Sequence, residues 1–546
     1  MQSKLSTLGN KMNLIKNGQL TWPFSAPAFI LIPVIIIALA MSLPLFYLII
    51  RVWGAEDFLS LLLREQTLTV LLNTLALAGA VTVATIVIAV PLAWLTVRTD
   101  LPGRRIWSIL TMVPLVIPSL VGGFAFVSAF GYGGIVHNFI SDLLNITYTP
   151  GIYGFFGAWA VLTLLSYPYV LLSVRSALLG MEPSQEEAAR TLGQTPWQTF
   201  WKVTLPKLRP AIGAGGLLVA LYTLSDFAAV SLLQFDSFTR VIFLQYRGSF
   251  NRIYAAVLAL VLVVLTMLIV SAEMWTRGKA RYHSVGRGTK GKLMKVKLGP
   301  WKWPAFIFCL LIVLLALVLP VGVCIFWLVR GLIHGEAFVF RWEAAFNSFY
   351  AAGIAAVVGV IATLPVAILS VRYKSKLSGV LEKVAYAGYA LPGIVVALSL
   401  VFFGSNYATS FYQTLPLLIF AYVILFLPQA MGVLRSSLLQ VGPNVEDAAL
   451  TMGCSKLKVL WSVVIPLIRP GILTGAALIF LTTMKELPAT LLLSPIGFRS
   501  LTTEIWNATT EAFYTRAAVP ALLLVIISLF SLAVLFAQED REKNRG

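Results

Sequence analysis

Charge is scarce in this sequence. Only 12% of its 546 residues are Asp, Glu, Lys or Arg, about half the share of a soluble domain. With 59% of residues hydrophobic, such a chain could not cover its own apolar surface in water, which excludes an ordinary soluble protein. Acids are scarcer than bases, 22 against 41, so the net charge is +19. Cysteine is nearly absent: Cys309 and Cys324 fall in an apolar run and Cys454 in a polar loop, which excludes a disulfide framework and leaves them as packing residues. No carboxylate cluster, zinc motif or nucleophile constellation is present, and this excludes the common enzyme chemistries. The stretch Gly286-Arg287-Gly288-Thr289-Lys290-Gly291-Lys292 nearly spells a phosphate-binding loop. Leu293 stands where Ser or Thr should hold Mg, however, and no strand precedes it, so the chain is not read as an ATPase.

What is there is long apolar runs. Several reach the ~20 residues that a bilayer-spanning helix needs. They are continuous rather than alternating, which favours helices over a barrel. The expectation is an all-α integral membrane protein with about twelve transmembrane helices in two parallel six-helix repeats. The spans are placed at 26–50, 69–97, 106–130, 153–175, 210–233, 253–274, 304–330, 347–371, 381–404, 414–435, 471–494 and 517–537. Residues 1–25 form an amino-terminal tail, 26–274 a first repeat, 275–303 a basic linker, 304–537 a second repeat and 538–546 a carboxy-terminal tail. The first apolar run is too long for a signal-peptide core and has no small-residue cleavage site, so it is read as an uncleaved span.

The basic charge is distributed by side. With the amino terminus inside, the cytoplasmic segments carry 31 Lys and Arg, the outer loops 9, and one more, Lys485, lies in a span. That asymmetry is the positive-inside rule. The charge therefore reports topology beside membrane lipid rather than nucleic-acid binding, and both termini are expected in the cytoplasm.

The two halves are copies. Glu187-Ala188-Ala189 matches Asp447-Ala448-Ala449, Gly193 matches Gly453, Pro206 matches Pro466 and Asp226 matches Glu486, all offset by 260 residues. Upstream the offset is 274, linking Asn73 to Asn347, Pro91 to Pro365, Arg98 to Arg372 and Pro118 to Pro392. The first half therefore carries 14 extra residues, placed around 131–150. Both halves start on the same side, so the repeat is parallel.

The loop after the fourth span of each half has helical punctuation. Ser184 with Glu187 three residues on is a capping box, and Gly193 suits the left-handed end of that helix. Thr195 caps a second helix with Pro196 at its first position, expected to stop before Pro206. In the second half Asn444 caps, Asp447 answers, Gly453 terminates, Ser455 caps and Pro466 stops. Trp197, Phe200, Leu457 and Leu460 are expected as exposed apolar residues, a surface suited to docking a partner.

Asp226, Lys485 and Glu486 are ionisable residues inside apolar runs, where they are costly unless they face a partner or a watery path. Asp226 and Glu486 lie about sixteen residues into matching spans, roughly 24 Å from the cytoplasmic end. Facing one pathway, the two carboxylates would suit a hard cation. In the alternative reading Lys485 pairs with one acid and the group is structural. No metal site is assigned.

These loops resemble the EAA loops of permease subunits of binding-protein-dependent ABC importers: Glu-Ala-Ala, three residues, Gly, then a terminal apolar-Pro. The match covers both halves, with Asp447 in place of Glu in the second. The resemblance implies that Glu187, Ala188, Ala189, Gly193 and Pro206, and likewise Asp447, Ala448, Ala449, Gly453 and Pro466, belong to docking elements. Each would sit in a cleft of one cytoplasmic ATPase subunit, two copies per chain. It implies a channel-forming transport subunit and not an enzyme. Substrate would be delivered by a periplasmic binding protein across the inner membrane by alternating access. The chain itself would bind no cofactor, and ATP and Mg would be used by the partner. Ser225-Asp226-Phe227-Ala228-Ala229 and Lys485-Glu486-Leu487-Pro488-Ala489-Thr490 further resemble fused ferric iron permeases, which implies ferric iron as the substrate. Thiamine, polyamine or another small solute stays open for the same machine, as does a secondary transporter of similar span number.

Overall fold

The structure is a computed structural model, and it describes residues 26–53, 58–131, 134–136, 151–181, 184–248, 252–279, 296–335, 341–373 and 375–543. The side chains of 184, 185, 273–279, 443 and 531–543 are outside this description. So are the near-phosphate-loop stretch 286–292, most of the linker and most of the extra segment around 131–150.

Among the described residues the chain is helical, and the one β-type pairing is an isolated parallel bridge between Thr99 and Val296. Among these described residues eight helices are long and apolar enough to cross a membrane, or up to eleven if each of three bent pairs counts as one span. The expected spans fall on these and on the shorter apolar helix Tyr514–Phe530. Mid-helix prolines such as Pro91, Pro168, Pro365 and Pro428 are carried without a break, as spans that pack on neighbours allow.

Three expectations are corrected. The third and ninth spans are not straight. The third bends by 94° between Arg104–Val116 and Ser119–Phe130, and the ninth breaks between Lys376–Ala390 and Gly393–Tyr407. Matching prolines, Pro118 and Pro392, stand at both breaks with extended backbone and begin the second half-helix as its cap. Proline has no N–H to donate, so the helix restarts behind it. The fifth and eleventh spans do not run through to 233 and 494. Their helices end at Ser225 and Lys485, and short helices Ala228–Leu232 and Pro488–Leu493 follow. The docking-loop prolines also fail to stop their helices, for a reason given below.

The residues group into two compact units. Among the described residues, one comprises those within 26–46, 351–389 and 419–483, the other those within 47–350, 390–418 and 484–543. In the larger unit Glu65–Arg98, Phe155–Gly180 and Leu205–Ser225 pack on one another. A Cβ on Gly215 would come within 2.8 Å of the Val170 backbone. In the smaller unit Gly475 does the same work at Ala430, where an added Cβ would meet the Ala430 methyl at 3.3 Å. Both contacts lie 260 residues apart, as the sequence match requires. Small residues let helix backbones approach where lipid supplies no hydrophobic drive.

Candidate functional site: paired docking loops and the acids at the helix breaks

Each docking loop is a helix, a left-handed turn and a second helix. In the first, Ser184–Thr191 ends at Gly193, whose φ is +84°. The Gly193 N–H donates to the Arg190 carbonyl at 3.0 Å and the Gln194 N–H to the Ala189 carbonyl at 3.1 Å. In the second, Pro443–Thr451 ends at Gly453 with φ +85°. There the Gly453 N–H donates to Leu450 at 3.0 Å and the Cys454 N–H to Ala449 at 3.2 Å. The left-handed residue turns these orphan amides back onto the last carbonyls, and glycine adopts that conformation without a Cβ penalty.

The second helices begin as expected. The Thr195 hydroxyl accepts from the Gln198 N–H while Gln198 answers the Thr195 N–H, a complete capping box with Pro196 in the first turn. Ser455 accepts from the Lys458 N–H at 3.3 Å. Other details are corrected. The cap of the Pro443–Thr451 helix is Gly442, which offers no side chain, and Asn444 already lies in the first turn. The Ser184 half of the expected box lies outside the described side chains.

Pro206 and Pro466 do not end their helices. A π-turn precedes each, Phe200–Thr204 and Leu460–Val464, so the Leu205 N–H reaches back to Phe200 and the Ile465 N–H to Leu460. The shifted ladder puts each proline in the first turn of the next helical segment, where its missing donor costs nothing. The first loop thus continues to Ser225. The second breaks at Ile468 instead, with a bend of 72° before Arg469–Lys485.

The loop helices have distinct faces. Ala189 and Ala449 are buried, as is Glu446, and Glu186 is half-buried three residues before Ala189. Glu187, Ala188, Asp447 and Ala448 face outward. Spacing of three and four residues puts Glu186 with Ala189 and Glu446 with Ala449 on one face. Arg98 is only 2% exposed, and its guanidinium lies 3.5 Å from Glu186 and donates to the Leu178 carbonyl at 3.3 Å. Arg372 lies 2.6 Å from Glu446 and donates to the carbonyls of Leu438 and Val441 at 3.2 and 2.9 Å. Sequence reasoning matched Arg98 with Arg372 but gave them no role, and it overlooked Glu186 and Glu446. Their signal was present in the same two offsets, 274 and 260.

The outward face carries apolar residues. Trp197 and Leu457 are exposed as expected, but Phe200 is half-buried against Trp94 at 5.5 Å between ring centroids, and Leu460 is half-buried too. Their places are taken by Trp201, 50% exposed, and Trp461, 65% exposed, a matched pair missed in the sequence. Leu192 and Met452 are exposed as well.

Asp226 and Glu486 sit at the helix breaks. Asp226 is the residue after Leu205–Ser225, and its carboxylate accepts from the Ala229 N–H at 3.0 Å and the Val230 N–H at 3.4 Å. The Glu486 carboxylate accepts from the Ala489 N–H at 3.2 Å. Thr239 donates to the Asp226 carbonyl at 2.6 Å and Thr502 to the Glu486 carbonyl at 3.2 Å, so both breaks are tied the same way. Lys485 is the last residue of Arg469–Lys485, a position where a cation complements the helix dipole. Among the described residues no ion pair joins Lys485 to either acid, and no group of three or more His, Cys, Asp or Glu could hold a metal ion.

Comparison with known proteins follows the same division. The family described as "Binding-protein-dependent transport system inner membrane component" matches twice, over residues 85–274 and 355–543. The chain is 35% identical to the Fe(3+)-transport system permease protein FbpB 2 of Haemophilus influenzae, over 93% of this chain and 97% of that protein. It is 25% identical to the Ferric transport system permease protein FbpB of Actinobacillus pleuropneumoniae, over 87% of this chain and 72% of that protein. The Molybdenum transport system permease protein ModB of Mycobacterium tuberculosis is 32% identical over 38% of this chain and 76% of its own length. Two family matches in one polypeptide, each containing one helix–turn–helix loop and one acid-tied helix break, identify the chain as a multi-pass inner-membrane protein belonging to the binding-protein-dependent transport family, a fused two-domain ABC importer permease.

Proposed function

We propose that this permease carries ferric iron inward, taking it from a periplasmic binding protein and moving it by alternating access. ATP hydrolysis with Mg takes place in two copies of a separate cytoplasmic ATPase subunit, one on each docking loop, and this chain binds no cofactor itself. Both termini and both loops face the cytoplasm in this reading, as the Lys and Arg distribution supports. One observation carries the ATPase role: two loops of the same backbone design, each anchored inward by a largely shielded Arg–carboxylate pair and each presenting outward an acid and exposed tryptophan. Apolar anchors rimmed by charge are the usual composition of a docking surface. Iron is supported by the ferric transport permeases that share most of the chain's length.

The test is uptake of radiolabelled ferric iron by cells lacking this chain and complemented with it. Complementation should restore uptake, and Glu187→Arg combined with Asp447→Arg should remove it. Unchanged iron uptake in the deletion strain, with thiamine or polyamine uptake lost instead, would overturn the substrate.

A further inference from the structure

The two acid-tied breaks differ in a way that assigns the acids a job. The Ser119 side chain, on the first residue after Pro118, faces the Asp226 carboxylate. In the second half the residue after Pro392 is Gly393, matching Ser119 at the offset of 274. A Cβ on Gly393 would lie 2.5 Å from the Glu486 Oε1 and 3.3 Å from its Cδ. The shorter acid therefore faces the residue with a side chain, and the longer acid fills the place where a side chain is missing. The hydrogen bond from Ala489 pins the Glu486 carboxylate there, so it cannot swing aside without losing that partner.

Both carboxylates thus make the same bridge. Each caps the start of the short helix after its own break, at Ala229 or Ala489, and lies against the first residue of the half-helix that follows the proline break of another span. A buried carboxylate held by backbone amides has its acceptor capacity partly spent. We infer that Asp226 and Glu486 are positioning residues for transport, each fastening two broken spans to one another, and that the acid's length is matched to the residue after the proline: Asp with Ser119, Glu with Gly393. The assignment differs from a cargo-ligand role, in which removing the charge while keeping the reach would abolish transport. It does not depend on which substrate is carried.

The test is a swap. In the second half, Gly393→Ser, Glu486→Asp, their combination and Glu486→Gln are measured for initial uptake rate against substrate concentration, using radiolabelled ferric iron. Hydrogen exchange at the amides of 487–491 is followed in the detergent-solubilised full chain. Gly393→Ser and Glu486→Asp each break the match and should lower the maximal rate about tenfold, the scale of one lost hydrogen bond to a charged group, with KM little changed. The combined variant copies the first half and should restore both rate and amide protection. Glu486→Gln keeps an acceptor oxygen of the same reach and should keep most of the rate. A combined variant no better than its parents, or loss of transport in Glu486→Gln with amide protection intact, would overturn the assignment. Should the second-half variants fail to fold, the reciprocal pair Ser119→Gly with Asp226→Glu applies the same test. Absence of iron uptake by the unmodified chain would instead count against the substrate, and the exchange measurement would still decide the matching.

Discussion

The first docking loop holds its inner carboxylate with two partners, the second with one side chain. Glu186 lies 3.5 Å from Arg98 and also accepts from the Thr204 hydroxyl at 3.0 Å. Glu446 lies 2.6 Å from Arg372, and Val464 occupies the position that matches Thr204. The first loop's arginine is further tied to the linker. The Val296 N–H donates to the Arg98 carbonyl at 2.8 Å, the Leu298 N–H to the Asp100 carboxylate at 2.9 Å, and Lys302 pairs with Asp100 at 3.2 Å. One backbone design is therefore fixed in two ways: a network that includes the linker, and a short ion pair with backbone carbonyls. Duplication kept the shape and let the wiring diverge.

The largest test of that contrast removes the arginines. Arg98→Met and Arg372→Met each leave a shielded carboxylate without its cation, a change that costs about 3–5 kcal/mol for a buried pair. The second loop should lose more, because Glu446 lacks a counterpart to Thr204. Hydrogen exchange of the amides in 186–191 and 446–451 reads both, and equal losses would dissolve the distinction. Next come Gly193→Ala and Gly453→Ala. Neither added methyl would meet another atom, so only the positive φ penalises it, about 1–2 kcal/mol. Here the loops should respond alike, and a large difference in thermal unfolding between the two would show that the turns are not equivalent. Cap removal follows. Thr195→Ala dissolves a complete capping box and Ser455→Ala a single bond, each about 1 kcal/mol, with the first loop the more affected.

The smallest effect is a pH dependence of opposite sign. Burial pushes the Glu446 carboxyl above its ordinary range, outweighing Arg372 beside it. A raised folded pKa contributes stability that is present below the unfolded value and lost as pH rises through the folded one. The Leu298 N–H, with Lys302, draws the Asp100 carboxyl below its ordinary range despite some burial. Its contribution is present above the unfolded value and lost as pH falls through the folded one. Acidification should thus firm the second loop and loosen the linker clasp at the first, as read by exchange at 446–451 and 296–299. Changes of the same sign at both would contradict these causes.

Much of this was readable in the residues. Offsets of 260 and 274 carry the duplication, and glycine and cap chemistry gave the turns at Gly193 and Gly453. The breaks were harder. A proline in a span is tolerated at Pro91 and Pro168 but bends the chain at Pro118, and local sequence does not separate these cases because neighbouring helices decide which freed carbonyls are satisfied. The π-turns before Pro206 and Pro466 escaped for a related reason: a shift of one hydrogen bond leaves the apolar pattern intact. The acids at 226 and 486 read as span residues because the apolar runs continue past the breaks. Only the amides of Ala229 and Ala489 reveal them as caps.

The most direct test counts ATPase subunits on the solubilised permease by native mass spectrometry. Two per chain are expected for the unmodified protein, one for Glu187→Arg, one for Asp447→Arg and none for the double variant. Two ATPase subunits still bound to a folded double variant would contradict the account.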